Sequence, residues 1–435
     1  MFKTIINAWK IADLRKKMLF TALIVFIFRL GAALPVPFVN ISGGLISDQN
    51  ANNFMTYLSM MTGDAFNYGT LFAMSITPYI NASIIIELLT VAIPALERLA
   101  KEGEEGRKKI STITRYSSVV LALMQSTAYY FYIRSQNYLS LDADGNKITG
   151  FFAVLQAITI IFCYTAGASL IMWLGEQINE KGIGNGISII LFAGIVSRMP
   201  TTLYSLYSYM DKGGAYYALA PIAFVSLILM IGFIVWMDNA ERRIPAKRVV
   251  GRKMYGGQST HIPIKVNMCG VLPIIFASSI LSLPPTIQMF VTVKEGGFWA
   301  GFFKIFETTH WAYGIMYFVL IIFFAYFYAA IQYNPIEMAN NIRKNSGAIP
   351  GIRPGKPTSD YITKILSRLT LLGALLLSVV ALFPLLFSQI TGAFHHQVNL
   401  SLGGTSIIIM VGVALETVKQ LESQMMMRHY KGFLD

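Results

Sequence analysis

Ten runs of roughly 20 apolar residues, spaced by short polar stretches, constrain this chain more than any other feature. At a rise of about 1.5 Å per residue, such a run matches the hydrocarbon core of a bilayer. The runs lie near 18–34, 75–94, 116–135, 152–174, 186–199, 216–237, 269–287, 312–332, 366–388 and 403–420. Each predicts a membrane-spanning helix, because a helix satisfies its own backbone N–H and C=O groups where no water is present. The fifth run is short for a crossing. It either continues through the amphipathic stretch to Tyr207 or forms a partial helix that faces protein. Composition agrees, with 54% apolar and only 13% charged residues over 435 positions. Soluble domains carry about a quarter charged residues. A soluble enzyme, a disordered hub and a disulfide-stapled secreted scaffold are therefore excluded. No cleavable leader is expected before the first span, since Val36-Pro37-Phe38 offers no small-residue cleavage pattern.

The net charge of +13 is distributed unevenly. Assigning connections to alternate sides places 28 of the 35 Lys and Arg with the N-terminus and six on the opposite side, with Arg29 inside the first span. Counting acids, the first side sums to +14 and the second to −1, while Arg29 and Glu87 cancel. Lys and Arg are retained in the cytoplasm, so both termini are expected there and the number of spans is even. Ten spans make two sets of five, and an odd number per set means any internal symmetry is inverted.

Two cytoplasmic loops, 239–268 and 333–365, are long and basic. The first carries Arg243, Lys247, Arg248, Arg252 and Lys253; the second carries Arg343, Lys344, Arg353 and Lys356. Two readings fit. The charges orient helices and touch anionic lipid, or they form a docking face for an acidic protein surface or rRNA. Arg353 to Pro357 (RPGKP) is a turn sequence that holds cations outward.

Catalytic chemistry finds no foothold. Cys163 lies mid-span and Cys269 at a span's cytoplasmic start, so pairing is not expected. His395 and His396 lack further metal ligands nearby. Gly182 to Gly186 follows a membrane helix rather than a strand and lacks a P-loop Lys. Neither cofactor nor metal is expected. Within the spans, Arg29 is explained by snorkelling to the outer interface. Glu87, among Ile and Leu, fits a hydrogen-bonded structural role, a proton site or a gate between helices. The external stretch from Asn50 to Pro78, with the semi-apolar run Phe54 to Met61 followed by Gly63-Asp64-Ala65, reads as a re-entrant segment or as an amphipathic helix lying on the lipid.

Five blocks carry a family resemblance. They are Lys101 to Ile110 (KEGEEGRKKI) with Thr114 to Tyr116; Trp173 to Ile178 with Gly182 to Ile187; Gln258 to Asn267 (QSTHIPIKVN); Asn334-Pro335 through Pro350 to Gly355; and Gly403 to Ser406. In this order they resemble the SecY family, the protein-conducting channels of the bacterial Sec system. The resemblance implies an all-α polytopic fold of two inverted five-helix halves, 1–207 and 208–435, around a central pore. It implies a plug formed by Met55, Thr56, Tyr57, Leu58, Ser59, Met60, Met61, Thr62, Gly63, Asp64, Ala65 and Phe66. It implies a pore ring of Ile76, Ile80, Ile187, Leu191, Ile275 and Ile408, and a lateral gate with Asn81, Ser83, Glu87, Ser278 and Ser279. In the family the position of Glu87 is usually an amide.

The same resemblance implies the partners SecE, SecG, the SecA motor ATPase, the ribosome and preprotein substrates with their signal sequences. Anionic lipid is a further expected partner and DNA is not. The place is the bacterial plasma membrane. Two other classes remain in competition on the residues alone: an inverted-repeat secondary transporter of a small solute, and a membrane-embedded transferase, which the lack of clustered acids disfavours.

Overall fold

The computed structural model describes residues 2–41, 43–45, 59, 62–140, 150–211, 216–248, 260–268, 270–288, 297–306, 310–344, 347–393 and 404–431. Helices dominate it. In chain order they and three strands are α1 (Phe2–Lys10), α2 (Ala12–Ala33), α3 (Thr77–Ala92), α4 (Pro94–Lys101), α5 (Glu104–Ser135), α6 (Phe151–Lys181), α7 (Gly186–Asp211), α8 (Tyr216–Asn239), β1 (Glu241–Arg248), β2 (Thr260–Lys265), α9 (Leu272–Gln288), α10 (Phe298–Ile305), α11 (Trp311–Gln332), α12 (Pro335–Lys344), β3 (Gly347–Ala348), α13 (Lys356–Ala393) and α14 (Gly404–Lys431).

Each of the ten apolar runs falls on one helix: α2, α3, α5, α6, α7, α8, α9, α11, α13 and α14. Of these, α6, α7, α8, α11 and α13 are long and apolar enough to cross a membrane by themselves. The broken pair α3–α4, bent by 100°, makes a sixth. The bend falls at Ile93, where Pro94 opens the next helix and removes an N–H that continuation would need. Of the remaining four, three fall short for visible reasons: α2 opens with Arg15, Lys16 and Lys17, α5 with polar turns, and α9 has only 17 residues. The short fifth run does continue, since α7 carries through Pro200 to Asp211. Outward faces are apolar: Ile222, Phe224, Val225, Ile228, Leu229 and Trp236 of α8 are all exposed. In water such a surface would aggregate; here it faces lipid, and the chain is a multi-pass membrane protein.

The chain divides into two compact units. The first holds 1–205, 282–308 and 413–435. In it α5 packs on α3 and α6, and α2 on α6. A buried cluster of Val36, Phe66, Met74, Tyr129, Ile133, Ile160 and Tyr164 fills their centre. At the end where the N-terminal helix meets α14, Ala8, Leu14, Ile183 and Leu421 pack together, and the Thr4 hydroxyl donates to the Glu422 carboxylate at 3.0 Å. The Gly-rich block at 182–186 is a helix junction: the Asn185 side chain accepts from the N–H of Ile187 as an N-cap. A Cβ on Gly186 would sit 1.9 Å from the Gly175 carbonyl oxygen, so the glycine permits close approach of α6 and α7.

The second unit holds 206–281 and 309–412. Here the expectation of a purely α fold misses a feature. The two basic loops fold together around a three-stranded sheet of order β2-β1-β3. β1 pairs antiparallel with β2, setting Ile244 opposite Ile262, and with β3, setting Lys247 opposite Ala348. Ile244, Ile264, Met268, Ala339, Ile349, Ile362 and Leu366 give this head its own core. The loops are therefore one body rather than two independent tips.

Candidate functional site

Between α2 and α3 the chain turns back into the first unit. From Thr62 to Ser75 it runs as turns, closed by backbone bonds such as Thr70 N–H to the Ala65 carbonyl at 3.0 Å. Leu71 N–H donates to the Leu34 carbonyl at 2.9 Å, and Phe72 stacks on Phe28 with ring centres 5.9 Å apart. Turn backbone buried among apolar side chains leaves carbonyls to satisfy. Two tyrosines do so: Tyr129 of α5 donates to the Phe66 carbonyl, and Tyr164 of α6 to the Gly69 carbonyl at 2.9 Å. Their rings meet edge-on with centres 5.1 Å apart, and Phe66 packs on Tyr129. Among the sequence-selected segment, Met55, Thr56, Tyr57, Leu58, Met60 and Met61 lie outside the described residues.

The described part of that segment is also tied by charge. The Arg29 guanidinium does not snorkel outward as expected. It donates to the Ser197 hydroxyl of α7 at 2.9 Å and to the Gly63 carbonyl at 3.4 Å. Beside it Arg198 pairs with the Asp64 carboxylate at 3.0 Å and donates to the Ser59 hydroxyl at 3.2 Å. Ser59 in turn donates to Asp64 at 2.9 Å. Gly63 and Asp64 both have positive φ, 63° and 71°. A Cβ at position 63 would approach Ser197, Arg29 and the Gly194 carbonyl to within 2.7–2.9 Å, so only glycine fits there. Arg198 is one of the six cations assigned to the outer side, and nothing in the sequence singles out Tyr129, Tyr164 or Ser197. A basic residue on an otherwise apolar face was the available signal.

The proposed ring residues fall on defined stripes. Ile76, the N-cap of α3, and Ile80, Ser83 and Glu87 within it recur at spacings of four, three and four, which continues one helix face. On α7, Ile187, Leu191, Gly194 and Arg198 do the same. On α9, Ile275, Ser278 and Ser279 share a face. Ile76, Leu191 and Ile408 are buried, and Ile80, Ile187 and Ile275 are half-buried. Asn81 carries a buried amide oxygen that receives no hydrogen bond among the described residues. Glu87 is half-buried and makes no hydrogen bond or ion pair among the described residues. The Ser278 hydroxyl donates to the Ile275 carbonyl at 3.0 Å.

On the head of the second unit, Arg243, Arg343, Lys344, Arg353 and Lys356 are exposed. Arg243 is tethered to Glu241 at 2.8 Å. Lys247 and Arg248 lie on β1 within its pairing to β3; Arg252 and Lys253 lie outside the described residues. The Arg353 turn is rigidly built: Ile349 is buried beneath it, Ile352 N–H donates to the Ile349 carbonyl at 3.1 Å, and the Thr358 hydroxyl donates to the Arg353 carbonyl at 2.9 Å. Gly351 and Gly355 flank it with positive φ. Cys163 is a free thiol; Cys269, His395 and His396 lie outside the described residues. No cluster of metal-ligating side chains occurs among the described residues.

Comparison with known proteins matches residues 70–418 to the SecY family model. The protein translocase subunit SecY of Streptomyces scabiei is 43% identical over 442 residues, covering all of both chains. Among solved structures, a SecY channel whose plug domain stabilises the closed state and maintains a membrane seal aligns with a TM-score of 0.63 at 17% identity, over 94% of this chain and 92% of that one. Sec61 of the canine ribosome–channel complex from the endoplasmic reticulum aligns with a TM-score of 0.62 at 15% identity, over 94% and 92%.

Proposed function

This chain belongs to the SecY family, and from that premise we propose that it is the channel subunit of a bacterial Sec translocase, conducting unfolded preproteins across the plasma membrane. The full-length identity to translocase subunits carries the reading. Ten spans in two inverted halves, 1–207 and 208–435, enclose the pore, with both termini cytoplasmic. In this reading the pore ring takes Ile76, Ile80, Ile187 and Leu191 from the first half and Ile275 and Ile408 from the second. A translocating backbone exposes polar groups of every kind, so the constriction should bind none of them. Branched apolar side chains offer no hydrogen bonds and seal by excluding water. The segment 55–66 is the plug outside the ring.

In this reading the lateral gate takes Asn81, Ser83 and Glu87 from α3 and Ser278 and Ser279 from α9. A run of about 20 apolar residues leaves through it to the bilayer, while a polar stretch continues across. SecE and SecG accompany the channel, and the basic head docks SecA or the ribosome. The Sec61 relative found in a ribosome complex supports the second partner. Energy comes from those partners, and anionic lipid meets the remaining cytoplasmic cations.

Reconstituted vesicles test the reading. ATP- and SecA-dependent entry of a preprotein is the expected result; uptake of a small solute without preprotein transport would place the chain with the secondary transporters. At the gate, Glu87→Gln is expected to keep export active and to shift the open–closed balance, read as a change in the export of preproteins with weakened signals. A pH-dependent activity abolished by the same change would make Glu87 a proton-coupling site instead.

A further inference from the structure

The stripe of α7 that carries Ile187 and Leu191 does not end at the ring. Continued at helical spacing it reaches Gly194 and then Arg198, roughly 16 Å further along the axis from Ile187. Gly194 and Arg198 are the very residues that meet the segment around Gly63. The Gly194 carbonyl lies against Gly63, and Arg198 holds Asp64 at 3.0 Å and Ser59 at 3.2 Å. Ser197, one residue earlier, receives Arg29 of α2, which also holds the Gly63 carbonyl. Both charged groups of the Arg198–Asp64 pair are about four-fifths shielded from solvent, at 18% and 23% exposure, so screening by water and salt is weak.

We propose that Arg198 and Arg29 are positioning residues that latch this segment in its seat, and that one half of the latch, Arg198 with the Ser197 that receives Arg29, rides on the ring-bearing helix α7 while Arg29 stays on α2. Moving α7 aside to widen the constriction carries Arg198 away from Asp64 and Ser59 and Ser197 away from Arg29, leaving Gly63 held by Arg29 alone, so ring opening loosens the segment's seat in the same event. The tyrosine contacts to Phe66 and Gly69 come from α5 and α6 and are untouched by that motion. They form the hinge side of the segment, and the arginines its free side. The inference rests on the reading of 55–66 as a plug and adds what holds it and what frees it.

The test is a double-mutant cycle on ion leak through closed channels in vesicles. Arg198→Gln and Asp64→Asn, the latter keeping shape and tolerance for positive φ, should each raise leak about tenfold or more. The combined variant should leak no more than either alone, because one interaction is lost once. Arg198→Lys, which keeps the charge but loses the fork that reaches both Asp64 and Ser59, should leak more than the parent and less than Arg198→Gln. Conductance of channels already opened by an engaged preprotein should be the same in all variants, which general damage to the fold would not allow. Tight single variants, additive leaks, or an equal change in the engaged state would overturn the latch. Preprotein transport by the parent vesicles is scored separately: its failure removes the channel reading, whereas transport with tight variants removes only the latch.

Discussion

Arg353→Glu is expected to lower SecA-driven export about thirtyfold or more while the protein still folds and inserts. Losing one partner of a charge pair in a docked interface costs about 2–5 kcal/mol, and about 1.4 kcal/mol is a factor of ten in affinity. The local structure makes the change specific. Arg353 is exposed, its backbone is fixed by Thr358 and by the buried Ile349, and its side chain carries none of the head's core. The paired measurement is export rate against SecA concentration, with thermal unfolding of the purified variant alongside. Unchanged export at equal protein level would remove the docking role from this turn. Lost export with a lowered Tm would show that Arg353 supports the fold instead.

The second large effect is expected at the constriction. Ile80→Asn or Ile275→Asn puts an amide where apolar branches exclude water, at a cost of about 1–3 kcal/mol while it stays dry. Water entry relieves that cost, so the closed state loses up to about a hundredfold in population relative to leaky states. Ion conductance of resting vesicles and export of a preprotein with a defective signal should both rise. A substitution on the lipid face, Phe162→Asn on α6, sits at a 61% exposed position and provides the control. Resting conductance as low as in the parent would place Ile80 and Ile275 outside the ring.

The helices were legible because membrane spans are written in runs of uniform chemistry. All ten runs became helices, and the fifth takes the longer of its two expected forms, continuing through the amphipathic stretch to Asp211. The head was less legible. Glu241 to Arg248 alternates only weakly and contains Pro245, so its pairing is fixed by distant partners, Thr260–Lys265 and Gly347–Ala348, that no local pattern announces. Arg29 shows the same limit in the membrane. Its depth and apolar neighbours are compatible with snorkelling, and the Ser197 hydroxyl and Gly63 carbonyl that hold it lie 168 and 34 residues away in sequence. Nothing local marks the carbonyls of Phe66 and Gly69 as needing donors, so the sequence alone does not single out Tyr129 and Tyr164. Helical spacing could have found Arg198, four residues beyond Gly194 on the stripe of Ile187 and Leu191.

Contact between a moving polypeptide and the ring is the most direct test of the channel. A photo-cross-linking side chain placed at position 191, and separately at 80, should form adducts with the middle of a preprotein arrested during export. The same probe at Phe162 on the lipid face should form none. Adducts of equal yield at all three positions, or none at 191 and 80 while export proceeds, would contradict a path through this ring.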